Sequence, residues 1–365
     1  MHNDEGASVS TALQGRLREA IAAQGGWLPF DRFMAMALYE PGLGYYAHGS
    51  RKFGHLPGSG SDFVTAPELS PLFGQTLAVQ LAQALEATGT DEVYEFGAGS
   101  GALAEQLLGS LGARVRRYTI VDLSASLRGR QAERLRAFGD TVRWVEAWPE
   151  AMAGVVVGNE VLDAMPVQLL HLGTQGWCER GVAWGDDGFT WSDRPTALAP
   201  PGGGPFAPGY LTEVHPQARA FVASLAARLE RGAAFFVDYG FPEAEYYHPQ
   251  RDGGTLMCHR AHRADADPLV DVGLKDITAH VDFTGIALAG QDAGLEVLGY
   301  TSQARFLFNC GLLERLAAAD LRERVHARKL VDEHEMGELF KVIGFVRGAP
   351  FDALGFVAGD RSHTL

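Results

Sequence analysis

Val93-Tyr94-Glu95-Phe96-Gly97-Ala98-Gly99-Ser100-Gly101 is the stretch that decides the fold. An apolar run with strand character ends in three alternating glycines, and the helix-forming stretch Ala102 to Leu108 follows at once. Glycines here let the backbone turn sharply and approach a ligand closely, while the helix that follows points free N–H groups at it. Asp122 lies 21 residues beyond Gly101, at the end of the next apolar run, where a carboxylate can accept both hydroxyls of a ribose. Loop and carboxylate together predict a nucleoside-cofactor site at Gly97, Gly99, Gly101 and Asp122. These residues alone leave the nucleoside open, because Gly97, Gly99 and Ala102 also satisfy the dinucleotide fingerprint GxGxxG/A. The GxGxG spacing, with acidic Glu95 in the preceding strand, fits S-adenosylmethionine better, since that cofactor has no pyrophosphate to hold.

Outward from this loop, short apolar runs alternate with helical patterns. The strand candidates are Val93 to Phe96, Tyr118 to Leu123, Val142 to Glu146, Val155 to Val157, Phe235 to Tyr239, Leu295 to Tyr300 and Val342 to Val346. Several are continuously apolar, as strands covered on both faces are. Strand, helix, strand in this order reads as an α/β protein with a doubly wound, Rossmann-like sheet. Ahead of it, Leu13, Leu17 and Ile21 mark one helical face, and Ser70 followed by Pro71 reads as an N-cap with proline at the first helical position. Arg305 to His334 is wide enough for more than one helix. Residues 1–70 are expected to be an N-terminal helical segment with a lid near 45–68, 71–348 the main domain, and 349–365 a C-terminal tail. Substrate-binding insertions are expected at about 168–209 and 240–285. Within the first, Gln168 to Trp191 reads as a hairpin addition around Gly185-Asp186-Asp187-Gly188. Pro195 to Gly209 has nine Pro or Gly in fifteen residues and reads as a disordered loop. The second, rich in Tyr, His, Arg and Asp, reads as binding loops.

The chain has 365 residues, 46% hydrophobic and 21% charged, which disfavours collagen-like, coiled-coil and wholly disordered classes. A net charge of −14 repels a phosphate backbone and disfavours non-specific nucleic-acid binding; a basic partner is easier to accommodate. Cys178, Cys258 and Cys310 are odd in number and far apart, so a disulfide framework is not expected and a reducing compartment is. With no apolar run long enough to cross a bilayer and a start, Met1-His2-Asn3-Asp4-Glu5, unlike a signal or transit peptide, the protein reads as cytoplasmic.

The third strand ends in Glu146-Ala147-Trp148, where a backbone amide could recognise adenine and the indole could cover it; Trp148 equally reads as a residue at the core's edge. The fourth ends in Gly158-Asn159-Glu160-Val161-Leu162-Asp163-Ala164. Reacting groups gather at the carboxyl ends of strands in open α/β sheets, which places Asn159 and Glu160 at the cofactor's reactive end. If Glu160 to Asp163 is one helical turn, both carboxylates share a face and suit a guanidinium. Capping is the competing role for Asn159 and Asp163. His280 and Asp282 read as an acid–base couple or as a strand's polar face. Cys258-His259 with His262 lacks a second ligand pair, so no metal is expected, and GxSxG and phosphate-loop motifs are absent from the sequence.

The chain resembles the MidA-like family over nearly its whole length. The matching motifs are Ala37-Leu38-Tyr39-Glu40-Pro41 through Gly44-Tyr45-Tyr46, Asp62-Phe63-Val64-Thr65-Ala66-Pro67-Glu68-Leu69-Ser70, Leu72-Phe73-Gly74 and the glycine loop. Gly158 to Ala164, Asp238-Tyr239-Gly240-Phe241, Gly254-Thr255-Leu256, Asp276 to Phe283 and Met336 to Lys341 complete them. Ser61 stands where the family carries glycine. The resemblance implies a class I S-adenosylmethionine-dependent methyltransferase acting on protein arginine. In the family's mitochondrial member the acceptor is a core subunit of the respiratory NADH dehydrogenase and the product is symmetric dimethylarginine. The expected catalytic set is then Glu160, Asp163, Asn159, His280 and Asp282. The expected cofactor set is Gly97, Gly99, Gly101, Asp122, Leu123, Ala147, Trp148, Asn159, Thr65 and Pro67. A nicotinamide-dependent oxidoreductase and a non-catalytic assembly chaperone that keeps the fold are the rivals.

Overall fold

The computed structural model describes residues 2–47, 64–122, 124–260 and 263–365. Each of the seven apolar runs forms a strand of the central sheet: β1 (Glu92–Phe96), β2 (Arg117–Val121), β3 (Val142–Val145), β4 (Met152–Asn159), β5 (Leu229–Phe241), β6 (Glu296–Ser302) and β7 (Phe340–Arg347). Their order is β6-β7-β5-β4-β1-β2-β3. The pairs β1–β2, β2–β3, β1–β4 and β4–β5 are parallel, whereas β7 runs antiparallel to both β5 and β6. The chain switches direction across the sheet between β1 and β4, so a crevice opens at their carboxyl ends. The glycine loop and the Asn159-Glu160 turn both leave the sheet there.

Alternation along the strands builds two cores. On β5, Ala233, Phe235 and Val237 face one side with Leu77 and Leu81 of helix Pro71–Thr88 and Leu107 of helix Ala102–Leu111. Ala234 and Phe236 face the other, with Val222 and Leu225 of helix Pro216–Arg228 and Ile286 of helix Phe283–Asp292. Ser70 caps helix Pro71–Thr88 as expected, its side chain accepting from Leu72 N at 3.2 Å, and left-handed Gly89 ends it. The region from Arg305 to His334 resolves into the end of helix Gln303–Asn309 followed by Leu312–Ala318 and Leu321–Arg328. Residues 349–365 fold back, with Phe356 packed into the first core.

The insertions are more structured than the sequence suggested. Gln168–Gly173, Gly176–Gly185, Gly188–Pro195 and Leu211–Val214 form an antiparallel sheet completed by Leu28–Pro29, rather than a lone hairpin. Leu13, Leu17 and Ile21 of helix His2–Ala23 and Phe30, Phe33 and Leu38 of helix Phe30–Tyr39 share a third core with Leu169 and Val182 of this sheet. The 195–209 stretch, expected to be disordered, is an irregular but packed connection: Phe206 lies 5.7 Å from the Trp177 ring and 4.3 Å from that of Tyr210. Backbone hydrogen bonds from Thr196 N to Trp177 O at 3.1 Å and from Gly209 N to Leu172 O at 2.7 Å tie its two ends to the sheet. Most of the expected lid, 48–63, lies outside the described residues. Among the described residues no helix is long and apolar enough to cross a membrane.

Candidate active site

Gly97, Gly99 and Gly101 have φ of 65°, 53° and 81°, a left-handed backbone that favours glycine. A Cβ at Gly97 would sit 3.0 Å from Val161 Cγ2, so the loop lies tightly against the turn after β4. Gly101 begins helix Ala102–Leu111, whose first amides face the crevice. Asp122 follows β2, and both its oxygens are held: Oδ1 accepts from Ser124 N and Oδ2 from Gln131 Nε2, each at 2.8 Å. Gln131 Nε2 also donates to Gly99 O at 2.9 Å, and its Oε1 accepts from Trp144 Nε1 at 2.9 Å. Gln131 thus ties the acidic residue to the glycine loop. It went unnoticed in the sequence; its one signal is a place nine residues after Asp122, on helix Ala125–Arg134. Glu95 is buried in β1, accepts the Tyr118 hydroxyl at 2.7 Å, and is pushed up to about 8 by burial.

Thr65 precedes the short helix Ala66–Leu69, which lies over the loop. Pro67 O accepts from Gln106 Nε2 at 2.7 Å, and Gln106 Oε1 accepts from Gly74 N at 3.0 Å. Ser100 Oγ donates to the buried Glu68 carboxylate, which also pairs with Arg134 Nη1 at 2.8 Å. Arg134 donates to Ser100 Oγ at 2.7 Å and to Glu105 at 2.9 Å, so one guanidinium fastens the segment onto the loop. Beyond β3, Ala147 is exposed. The Trp148 ring packs 4.5 Å from Phe96 and 4.9 Å from Phe221, on the rim of the second core. Leu123 lies outside the described residues.

The turn after β4 is not the helical turn expected. Glu160 is left-handed, with φ of 54°, unusual for a residue with a side chain. The amides of Val161, Leu162 and Asp163 all point at one oxygen, Asp238 Oδ2, at 3.0, 2.8 and 3.3 Å. Asp238, from the end of β5, is therefore the residue that shapes the turn, and Asn159 and Asp163 do not act as its caps. Glu160 accepts from Asn159 Nδ2 at 2.9 Å and from the Ala66 amide. Burial, with Asp163 close by, pushes Glu160 up to about 8. Burial likewise raises Asp163 to about 6, against a hydrogen bond from the Tyr239 hydroxyl. Two tyrosines from the N-terminal segment reach this region: Tyr39 donates to Ala164 O at 2.8 Å, and Tyr46, stacked on Tyr39, donates to Asp276 at 2.8 Å.

His280 and Asp282 part company. Asp282 caps helix Phe283–Asp292, accepting from Gly285 N at 3.1 Å, and among the described residues it makes no hydrogen bond with His280. His280 stacks on Phe241 at 5.2 Å and meets Tyr239 edge-on at 5.1 Å, while Ala279 N donates to Asp163 O at 3.0 Å. Burial pushes His280 down to about 4, so it is neutral near pH 7. Three buried side-chain atoms here, Asn159 Oδ1, Asp163 Oδ1 and His280 Nδ1, have no partner among the described residues. No group of three or more His, Cys, Asp or Glu among them is arranged to hold a metal ion.

A glycine loop entering a helix, an acidic residue ending β2 and an antiparallel strand set between β5 and β6 define a class I S-adenosylmethionine-dependent methyltransferase. The all-parallel order of a dinucleotide-binding sheet has no place for β7. Residues 76–301 match the Methyltransf_28 family model of S-adenosyl-L-methionine-dependent methyltransferases. The chain belongs to this family, the MidA-like methyltransferases, and S-adenosylmethionine is its cofactor. A crystal structure from Burkholderia thailandensis bound to S-adenosyl-homocysteine is 54% identical, with a TM-score of 0.95 over 99% of this chain and 98% of that one. The mitochondrial protein arginine methyltransferase NDUFAF7 of Danio rerio is 27% identical, covering 94% of this chain and 89% of its own length. Its human counterpart is also 27% identical, over 78% of this chain and 70% of its own.

Proposed function

We propose that this methyltransferase modifies an arginine side chain of a protein acceptor, a subunit of the respiratory NADH dehydrogenase. The observation that carries the arginine reading is the pair of buried, unpartnered acceptors Asn159 Oδ1 and Asp163 Oδ1 beside the Glu160 carboxyl. Buried polar atoms are normally paired, and a guanidinium is a ligand with five N–H donors and no acceptor. The relatives named protein arginine methyltransferase support the same reading, and the acceptor is what the family resemblance of the motifs implies.

Gly97, Gly99 and Gly101 would cradle the cofactor against the helix, Asp122 would take its ribose hydroxyls, and Ala147 and Trp148 would border the adenine. Thr65 and Pro67 would close the other side over the loop. The bound cofactor supplies a methyl group on a positively charged sulfur, already activated for displacement. Glu160 and Asp163 would hold the guanidinium so that one nitrogen lies in line with that methyl, and their negative charge would concentrate nucleophilic character on it. Each transfer releases one proton from the attacked nitrogen, and Asp163 or His280, both unpartnered at one atom, can take it. Mass spectrometry of methylarginine in cells with and without the protein tests this. Loss of methylation at one arginine of an NADH dehydrogenase subunit is expected. An unchanged arginine-methyl profile with intact cofactor binding would leave the assembly-chaperone role instead.

A further inference from the structure

A cleft of about 780 Å³ opens where the two insertions meet, and none of the residues assigned to the cofactor or the acceptor lines it. One wall is the hairpin of strands Gly176–Gly185 and Gly188–Pro195; the other is the stretch 266–271, with Gln14 of helix His2–Ala23 beside them. Gly185 pairs with Gly188, so Asp186 and Asp187 are the two-residue tip of the hairpin, exposed at the mouth of the cleft. Neither carboxylate has a hydrogen-bond or ion-pair partner among the described residues. On the other wall, Asp267 accepts from Leu269 N at 3.0 Å, and Asp271 is paired with Arg260. No lysine or arginine lines the cleft, so the carboxylates of Asp186, Asp187 and Asp267 line it without a counter-charge.

The hairpin wall is aromatic as well as acidic. Trp184 meets Phe189 edge-on at 4.9 Å, and Phe189 packs 5.4 Å from Phe33 of the third core, which anchors the wall. The indole is partly exposed and already holds one guanidinium: Arg18 lies 4.4 Å from its centroid, with no carboxylate partner among the described residues. Half-exposed Val270 adds apolar surface across from it. Rings and uncompensated carboxylates together suit lysine and arginine side chains, which bring an aliphatic stem and a positive head. The same charge repels phosphate, nucleic acid and anionic lipid.

The cleft is also within reach of the methyl-transfer site. Asp271 and Asp276 are five residues apart, so their Cα atoms lie at most roughly 18 Å from each other. Asp276 accepts the Tyr46 hydroxyl; Tyr46 stacks on Tyr39, whose hydroxyl donates to Ala164 O, next to Asp163. An extended peptide of about 6 to 10 residues covers that path.

We propose that this cleft is an exosite for a lysine- and arginine-rich segment of the protein acceptor, about 6 to 10 residues in sequence from the arginine presented to Glu160. The proposal rests on the protein-acceptor reading above, and it gives a role to the Gly185-Asp186-Asp187-Gly188 tip, which cofactor binding leaves unexplained. Complementary charge of this kind sets encounter rate and specificity as well as affinity.

The test is calorimetry on the full-length protein saturated with S-adenosyl-homocysteine, with hexalysine as the probe. Hexalysine should bind one to one, and about tenfold more weakly to the double variant Asp186→Asn/Asp187→Asn. Raising sodium chloride from about 50 to about 300 mM should weaken wild-type binding and narrow that difference. Asp267→Asn, on the opposite wall, keeps an acceptor for Leu269 N and serves as an independent variant with about threefold loss. Glu160→Gln should bind hexalysine within twofold of wild type, and affinity for S-adenosyl-homocysteine should stay within twofold in the Asn variants, which reports that they fold. Equal hexalysine affinity in wild type and the Asn variants overturns the exosite. Displacement of the peptide by magnesium chloride beyond that by sodium chloride of equal ionic strength would make the cleft a metal site instead. A wild-type dimer that the double variant abolishes would make it a contact between copies; either result overturns the proposal. Hexalysine binding that follows the carboxylates, in a protein whose loss leaves cellular methylarginine unchanged, sustains the exosite and removes the arginine reading alone.

Discussion

Replacing Glu160 by glutamine separates catalysis from folding. The wild-type carboxyl is pushed up to about 8, mainly by burial and by the Asp163 charge. Below that pH it is a neutral acid with one acceptor oxygen, and glutamine matches it in size, keeping an acceptor for Asn159 Nδ2. An unfolded glutamate gives up its proton near pH 4.5, the folded one near 8. Between those values the native state binds more protons than the unfolded state, so wild-type stability falls as pH rises, and the glutamine variant escapes that loss. Full desolvation would make the difference roughly 3 kcal/mol at pH 7. Glu160 keeps some solvent contact, which lowers the figure to roughly 2 kcal/mol. The variant should therefore melt a few degrees above wild type at pH 8, with the gap closing by pH 5, in thermal scans across pH. Turnover should fall by roughly a hundredfold or more, because the neutral amide cannot hold a guanidinium or polarise it, while calorimetry finds cofactor affinity nearly unchanged. Wild-type turnover in the glutamine variant would refute the catalytic role. Equal melting temperatures at pH 8 would refute the buried, proton-holding carboxyl.

The same carboxyl predicts that kcat/KM for the acceptor rises with pH between about 7 and 9, as Glu160 ionises, and that the glutamine variant lacks this limb; a rate profile checks it. Asp122→Ala should weaken S-adenosylmethionine binding by roughly 2 to 4 kcal/mol by removing two charge-assisted hydrogen bonds, and calorimetry with unchanged affinity would remove Asp122 from the site. Gln131→Leu should weaken binding by about tenfold with Asp122 intact, since the amide that joins Asp122 to Gly99 is lost; affinity equal to wild type would make that bridge dispensable. Hydrogen exchange at residues 64–70 should slow when cofactor is added, because this segment is fastened to the glycine loop through Glu68, Ser100 and Arg134; identical exchange would separate it from the cofactor.

What the sequence made legible was local. The glycine loop, its helix and Asp122 are read from spacing because a strand-to-helix turn is built by consecutive residues. The seven strands are legible from apolar runs, but an apolar run carries no direction, so the antiparallel insertion of β7 could not be seen in it. Leu28–Pro29 is too short to give a periodic signal, and its pairing with Val182 and Gly181 lies more than 150 residues away. The groups that shape the site are hidden for the same reason. Asp238 collects amides 75 to 77 residues upstream, and Arg134 meets Glu68 across 66. The expected helical turn at Glu160 failed because spacing of three suggests a helix, whereas a carboxylate from another strand supplies a different way to satisfy the same amides.

Asp238 also explains how the site keeps carboxyl groups together in a buried place. Its Oδ2 oxygen faces three backbone N–H groups and its Oδ1 accepts from Tyr239 N at 3.0 Å. Burial and its neighbours Asp163 and Glu160 nevertheless hold it well above the ordinary carboxylate range, against these four donors. Protons held within the cluster relieve the crowding, and Glu160, pushed up to about 8 with Asn159 as its side-chain donor, holds one at pH 7. A guanidinium entering beside Glu160 brings the positive charge that the proton had supplied, so it can displace that proton. Under the arginine reading proposed above, acceptor binding and ionisation of Glu160 become one event, and a neutral side chain of similar shape, unable to displace the proton, would be rejected by the same geometry.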